Sequence, residues 1–262
     1  MDSPSSESAA DARPTLAAFD GLASTYERHR PRYPRAVFDA ILDGLPTPAT
    51  VADIGCGTGI SARALAVCGA RVIGIDPGLD MLREARAAPA TFPQLEFRQG
   101  TAEATGLADV SVDAVLAAQA FHWFDAARAL AEFRRILRPG GRAAILWNLR
   151  ISDGGFTDEY NRIVVSASER LDPSARFGRE ALDAPLCASP LFHNVRVIVA
   201  PSPQSLDELG AIGRATSASY FPRSEPERSQ RISELVGAVR KYAIDGRVTL
   251  AQEARLTVAT RS

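Results

Sequence analysis

The sequence predicts an α/β protein: one doubly wound sheet of seven strands, most of them parallel. Three observations lead there. Short β-branched or small apolar runs alternate with stretches of helical period from position 50 onward. A turn carrying Gly55, Gly57 and Gly59 joins the first apolar run to the first helical one. The second run, Arg71-Val72-Ile73-Gly74-Ile75-Asp76, ends in a carboxylate where such sheets hold ligands.

Taken in order, Met1 to Pro14 is a serine-bearing stretch with no apolar core and reads as a disordered tail. Leu16, Phe19, Leu22 and Tyr26 then recur at helical spacing, and Pro31 and Pro34 interrupt the chain before an amphipathic helix from Arg35 to Leu45. The core alternation follows as strand 50–54, helix 58–68, strand 71–75, helix 78–87, strand 94–98, strand 112–118, helix 125–137 and strand 142–148. Leu130, Phe133 and Leu137 share a face of the 125–137 helix, which Arg138-Pro139-Gly140-Gly141 is expected to stop. Farther on, Asn194 to Ala200 is β-branched, and Arg247 to Thr260 places Val248, Leu250, Ala254, Leu256 and Val258 on one face. Between them Ser224-Glu225-Pro226-Glu227 reads as a capping box opening a helix with the stripe Ile232, Leu235, Val236, Val239 and Tyr242. A single domain over 15–262 is expected, with N-terminal helices at 15–45, a ligand-binding core at 46–150 and substrate-side helices and closing strands at 151–262.

Composition limits the partners. With 262 residues, 46% of them hydrophobic, the chain can bury one large core. A net charge of −1 supplies no positive field for nucleic acid or an anionic membrane. Cys56, Cys68 and Cys187 are too widely spaced for a metal site or a disulfide framework, and a reducing cytoplasm suits them. No stretch is apolar enough for a signal peptide or a bilayer span.

The glycine spacing narrows the ligand. A dinucleotide fingerprint needs glycine at position 60, where Ile60 stands, and a P-loop needs Gly-Lys-Ser/Thr, which is missing. Asp76, 21 residues beyond Gly55, can accept hydrogen bonds from both hydroxyls of a ribose. No basic residue in the turn meets a phosphate. A nucleoside without phosphate fits better, and S-adenosylmethionine (SAM) is the common one.

Val51 to Ile60 together with Asp76 resembles the cofactor site of the class I SAM-dependent methyltransferases. The resemblance implies a Rossmann-like fold with an antiparallel last strand, inserted helices forming a lid, and S-adenosylhomocysteine (SAH) as product. It places the main chain of Gly55, Cys56, Gly57 and Gly59 against the methionine part of SAM, with Asp53 organising the turn from below and Asp76 on the ribose. Pro77 and Met81 would contact adenine, although a helix start and a core methionine are equally good readings of them. Gly100-Thr101-Ala102-Glu103 resembles the family's adenine-edge loop, with Thr101 where an acidic residue is often found. Ala102 would act through its amide and Glu103 through its carboxylate, or Glu103 is simply solvated.

Ala118-Gln119-Ala120-Phe121-His122-Trp123-Phe124-Asp125 and Tyr26-Glu27-Arg28-His29-Arg30-Pro31-Arg32-Tyr33-Pro34 resemble the small-molecule methyltransferases related to trans-aconitate methyltransferase. By that resemblance Tyr26 and Arg30 belong to a lid over the SAM carboxylate, and Gln119 lies beside the cofactor. His122 is the candidate general base, since its ordinary pKa of about 6.5 suits proton transfer near neutrality; it could equally shape the pocket. Phe121, Trp123, Trp147, Asn148 and Tyr220 are candidates for holding the acceptor, with Arg150, Tyr160 and Phe221 behind them. A small-molecule acceptor, methylated on oxygen or nitrogen, is expected, with no metal. The absence of an Asn/Asp-Pro-Pro-Tyr/Phe tetrapeptide disfavours nucleic-acid amino methylation. A protein acceptor, or a SAM-binding homologue without methyl transfer, stays open, as does the choice between monomer and homodimer.

Overall fold

Small and β-branched residues form the strands, and their burial on both faces makes the sheet the centre of the molecule. The computed structural model describes residues 32–87, 92–165, 181–218 and 221–262. Helix α1 (Arg35–Leu42) precedes β1 (Thr50–Ile54), α2 (Ile60–Val67), β2 (Arg71–Asp76), α3 (Leu79–Ala87), β3 (Leu95–Gln99) and β4 (Val112–Ala118). After a 3₁₀ turn at Phe121–Trp123 come α4 (Ala126–Ile136), β5 (Leu137–Arg150) and α5 (Phe156–Val165). The chain ends with β6 (Phe192–Pro201), β7 (Gln204–Leu206), α6 (Glu208–Thr216), α7 (Glu227–Tyr242), β8 (Val248–Leu250) and β9 (Gln252–Arg261).

The seven-stranded sheet runs β3-β2-β1-β4-β5-β9-β6. Pairings among the first five strands are parallel, and β9 is antiparallel to both β5 and β6. The order reverses at β1, so the crevice at the carboxyl ends of β1 and β4 is the switch point where open α/β sheets take ligands.

Each face has its own apolar layer. On one, Val37, Phe38 and Ile41 of α1 and Ala62, Leu65 and Ala66 of α2 cover Val51, Leu116, Leu146 and Leu256. On the other, Phe133 and Ile136 of α4 cover Ile54, Val115, Ile145 and Trp147. A third core lies apart from the sheet, where Tyr160 of α5, Ala211 of α6 and Leu235 of α7 meet Val248 and Leu250.

Four sequence expectations are corrected. The Arg138–Gly141 turn does not delay the strand to 142: β5 starts at Leu137, and the extra residues form an irregularity between the Val112↔Leu137 and Ala114↔Arg142 pairs, with Gly140 at φ +75°. The 247–260 run is two strands. β8 pairs with β7 in a separate small sheet, and Ala251 divides it from β9. The capping box is absent as drawn, because α7 has no side-chain cap and Glu225 instead accepts from Ser229 N at 3.1 Å. In the α7 stripe Leu235, Ala238 and Val239 are the buried residues, while Ile232, Val236 and Tyr242 are half-buried. The tail at 1–14 and the first helix with Tyr26 and Arg30 lie outside the described residues.

Candidate active site

Two hydrogen bonds bolt the glycine turn to the neighbouring strand. Gly55 N and Cys56 N both donate to Ile75 O, at 2.8 and 3.1 Å, so β1 cannot end without β2 ending beside it. Gly55, Gly57 and Gly59 have φ of +68°, +54° and +84°, values open to glycine and strained for residues with a Cβ. Their surroundings differ. A Cβ on Gly55 would sit 2.5 Å from Ala120 Cβ, and one on Gly59 2.7 Å from the Phe97 ring. A Cβ on Gly57 would meet nothing within 4 Å. Gly55 and Gly59 are therefore required by packing, whereas Gly57 borders open space.

Asp76 stands at the rim of that space. Its Oδ2 accepts from Gly57 N and its Oδ1 from Gly78 N, both at 2.8 Å. Each carboxylate oxygen can accept a second bond, so a diol has two acceptors side by side. Burial raises the Asp76 pKa, and the Gly78 and Gly57 amides oppose that rise.

Asp53 is fully buried beneath the turn. Its Oδ2 accepts from Ser61 Oγ at 2.7 Å, while Oδ1 has no partner among the described residues. Burial pushes this carboxyl up to about 7, with Asp76 adding repulsion and Ser61 opposing it. A cation held above the turn would draw it down. The orphaned oxygen and the open space at Gly57 both fit a ligand that carries a cationic group and a ribose.

Other predicted residues fall into three places. Met81 and Ala102 are buried and Pro77 is half-buried, while Thr101 is exposed and pairs with Ala104 through the backbone. Glu103 is not merely solvated: its Oε1 accepts from Asp125 N at 2.8 Å, anchoring the start of α4, where Asp125 Oδ1 in turn caps Arg128 N. At the end of β4, Gln119 takes φ +55° and donates from Nε2 to Asn148 O at 3.1 Å, joining the ends of β4 and β5.

Phe121 goes into the core. It is 5% exposed, with its ring centroid 5.6 Å from Phe124 and 6.4 Å from Phe133. His122 and Trp123 face outward, and the His122 ring lies 4.5 Å from Trp123 and 5.5 Å from Trp147, centroid to centroid. Trp147 is buried and its Nε1 has no hydrogen-bond partner among the described residues. Tyr160 and Phe221 lie in the third core, with the Arg150 guanidinium 5.7 Å from the Tyr160 ring centre. Tyr220 lies outside the described residues.

Sequence reasoning missed Ser61, Phe124 and Gln252. Ser61 opens α2 one turn past the glycines, and a hydroxyl there facing back toward Asp53 was a readable signal. Phe124, whose ring would lie 3.2 Å from a Cβ on Gly55, carried none apart from its place in an aromatic run. Among the described residues no group of His, Cys, Asp and Glu is arranged to hold a metal ion, and no helix is long and apolar enough to cross a membrane.

Residues 52–145 match a methyltransferase domain family model. An uncharacterized methyltransferase of Mycobacterium tuberculosis is 44% identical over 148 residues, which cover 56% of this chain and 58% of that protein. A malonyl-[acyl-carrier protein] O-methyltransferase of Pseudescherichia vulneris is 35% identical over 135 residues, covering 50% of this chain and 52% of the relative. The chain thus spans little more than half the length of these curated relatives. A solved structure from Anaeromyxobacter dehalogenans, assigned as a type II methyltransferase, superposes with a TM-score of 0.64 at 26% identity over 88% of this chain and 96% of that one.

Proposed function

We propose that the chain is a class I SAM-dependent methyltransferase, its residues 52–145 matching a methyltransferase domain model, and that it moves a methyl group from SAM to a small-molecule acceptor, on oxygen or nitrogen. One observation carries the reading. Gly57, whose amide is tied to the Asp76 carboxylate, opens onto space at the sheet's switch point, above a buried and unpaired Asp53 oxygen.

In this reading the Gly55–Gly59 main chain holds the methionine part, Asp76 takes the ribose hydroxyls, and Pro77, Met81 and Ala102 form the dry slot for adenine. The bound sulfonium supplies an electrophilic methyl. The protein's work is alignment and exclusion of water, because in-line displacement needs little covalent help. His122, exposed beside Trp123 and Trp147, is placed to take a proton from a hydroxyl or ring nitrogen, while an acceptor that is already a carboxylate needs no base. Tyr26 and Arg30 would close over the cofactor's carboxylate, as the wording shared with trans-aconitate methyltransferase relatives implies. A cytoplasmic location is part of the same proposal.

A second reading has one observation in its favour, the malonyl-[acyl-carrier protein] O-methyltransferase relative: the acceptor could be an acyl group carried on a protein. Incubation with methyl-labelled SAM and cell extract split into small and large molecules separates the two. Label in the small fraction supports the leading proposal. Label only in macromolecules favours the second, and SAM binding without turnover overturns both.

A further inference from the structure

Two buried carboxamides near the candidate active site have no hydrogen-bond partner among the described residues. Asn148, near the end of β5, leaves both Oδ1 and Nδ2 unpaired, and Gln252, the first residue of β9, leaves both Oε1 and Nε2 unpaired. Gln252 is 2% exposed. Buried polar groups are nearly always satisfied, since leaving one unpaired sacrifices its hydration for nothing. Four such atoms on two side chains are therefore a reserved feature.

The register brings the pair together. Asn148 lies opposite Ala254 and Gln252 opposite Arg150, with no irregularity between them, so the two are diagonal neighbours. Alternation along the strands puts both on the face of Leu146, Ala254 and Leu256, the face that also carries Asp53. Both stand at the end of the sheet where β1 runs into the glycine turn, beside Gln119, whose strained backbone and bond to Asn148 O join β4 to β5.

The chemistry of the pair limits what it can bind. Each carboxamide offers two donors and one acceptor, and neither carries charge. Arg150, which is paired with Gln252 across the strands, is engaged with Asn161 Oδ1 at 2.5 Å and with the Tyr160 ring. A carboxylate would satisfy the amide donors and press its charge against two carbonyl oxygens, and an ammonium would do the reverse.

Resting on the methyltransferase reading, we propose that Asn148 and Gln252 recognise the acceptor through a neutral edge that both donates and accepts hydrogen bonds, such as an amide or a hydroxy-carbonyl. The polar ends are closed from solvent in this conformation.

The test uses full-length protein loaded with SAH and three probes of one size: benzamide, benzoate and benzylammonium. Calorimetry and ligand-observed NMR are applied to the wild type, Asn148→Leu and Gln252→Met. Benzamide is expected to bind the wild type at least tenfold more tightly than either ion, and to lose at least tenfold in each variant while SAH affinity holds. Melting adds a readout that a structural role would not give. Exchanging an unsatisfied amide for an apolar chain of similar shape should leave the Tm unchanged or raise it by about 2–4 °C. Equal binding of benzoate, unaltered benzamide affinity in the variants, no benzamide binding, or a Tm drop of several degrees in Gln252→Met overturns the proposal. Failure of the wild type to bind SAH overturns the methyltransferase reading itself, so the two failures are told apart.

Discussion

Asp53 and Asp76 lie on one face of adjacent strands; burial raises the cost of ionising Asp53, and the Asp76 charge adds to it. For Asp53 the folded carboxyl titrates near 7 against an ordinary 3.8. Between those values the folded protein keeps a proton that the unfolded chain has released, so the stability this group contributes is greatest in acid, falls as pH rises and levels off above 7. Asp76 shifts the same way. Melting of the ligand-free protein across pH 5 to 8 should show that decline. Asp53→Asn should flatten it and raise the pH 8 Tm by about 2–4 °C for each kcal/mol recovered. A Tm that climbs through this range would contradict the burial argument. Asp76→Ala removes charged acceptors from the proposed ribose site and is expected to weaken SAH binding by about 1–3 kcal/mol in calorimetry. Asp76 was readable from the sequence because it ends an apolar run. Gln252 was not, because its role depends on strands that meet only in the fold.

At the scale of the element, the three glycines of one turn separate into different jobs. Gly57→Ala places a Cβ in open space at the cost of a left-handed backbone, about 1–2 kcal/mol, yet it intrudes where the cofactor is proposed to lie. Gly55→Ala pays the same backbone cost and also collides with Ala120. Denaturation should therefore show Gly55→Ala as the less stable variant, with Gly57→Ala retaining most of its stability while losing SAH binding. The glycine spacing was legible, but the division of labour was not, since it depends on Phe97, Ala120 and Phe124 arriving from elsewhere in the chain. Helix boundaries followed the apolar period closely in α2 and α3. The start of β5 was misplaced, because Leu137 already pairs with Val112 and residues 138–141 form the irregularity that precedes the Ala114↔Arg142 pair.

Across the whole molecule, the third core is built from α5, α6, α7, β7 and β8, apart from the layers that grip the main sheet. Leu235 is fully buried there, and Phe133 is fully buried under the sheet. Leu235→Ala is expected to cost about 2–5 kcal/mol, confined by hydrogen exchange to the third core, with SAH affinity preserved. Phe133→Ala, at about 3–5 kcal/mol, should loosen β4 and β5 and weaken SAH binding as well. Equal loss of SAH binding in both variants would show that the two cores act as one cooperative unit.

Local chemistry along the chain was enough to specify the alternating elements, the glycine bend, the carboxylate closing β2 and the family they resemble, because each depends on residues a few positions apart. Only the folded arrangement decided that Glu103 anchors α4, that Phe121 is core, that β8 leaves the main sheet, and that Asn148 and Gln252 stand together without side-chain partners among the described residues. Those outcomes depend on contacts between residues tens to more than a hundred positions apart, and sheet register, which no local pattern encodes, determines which side chains meet.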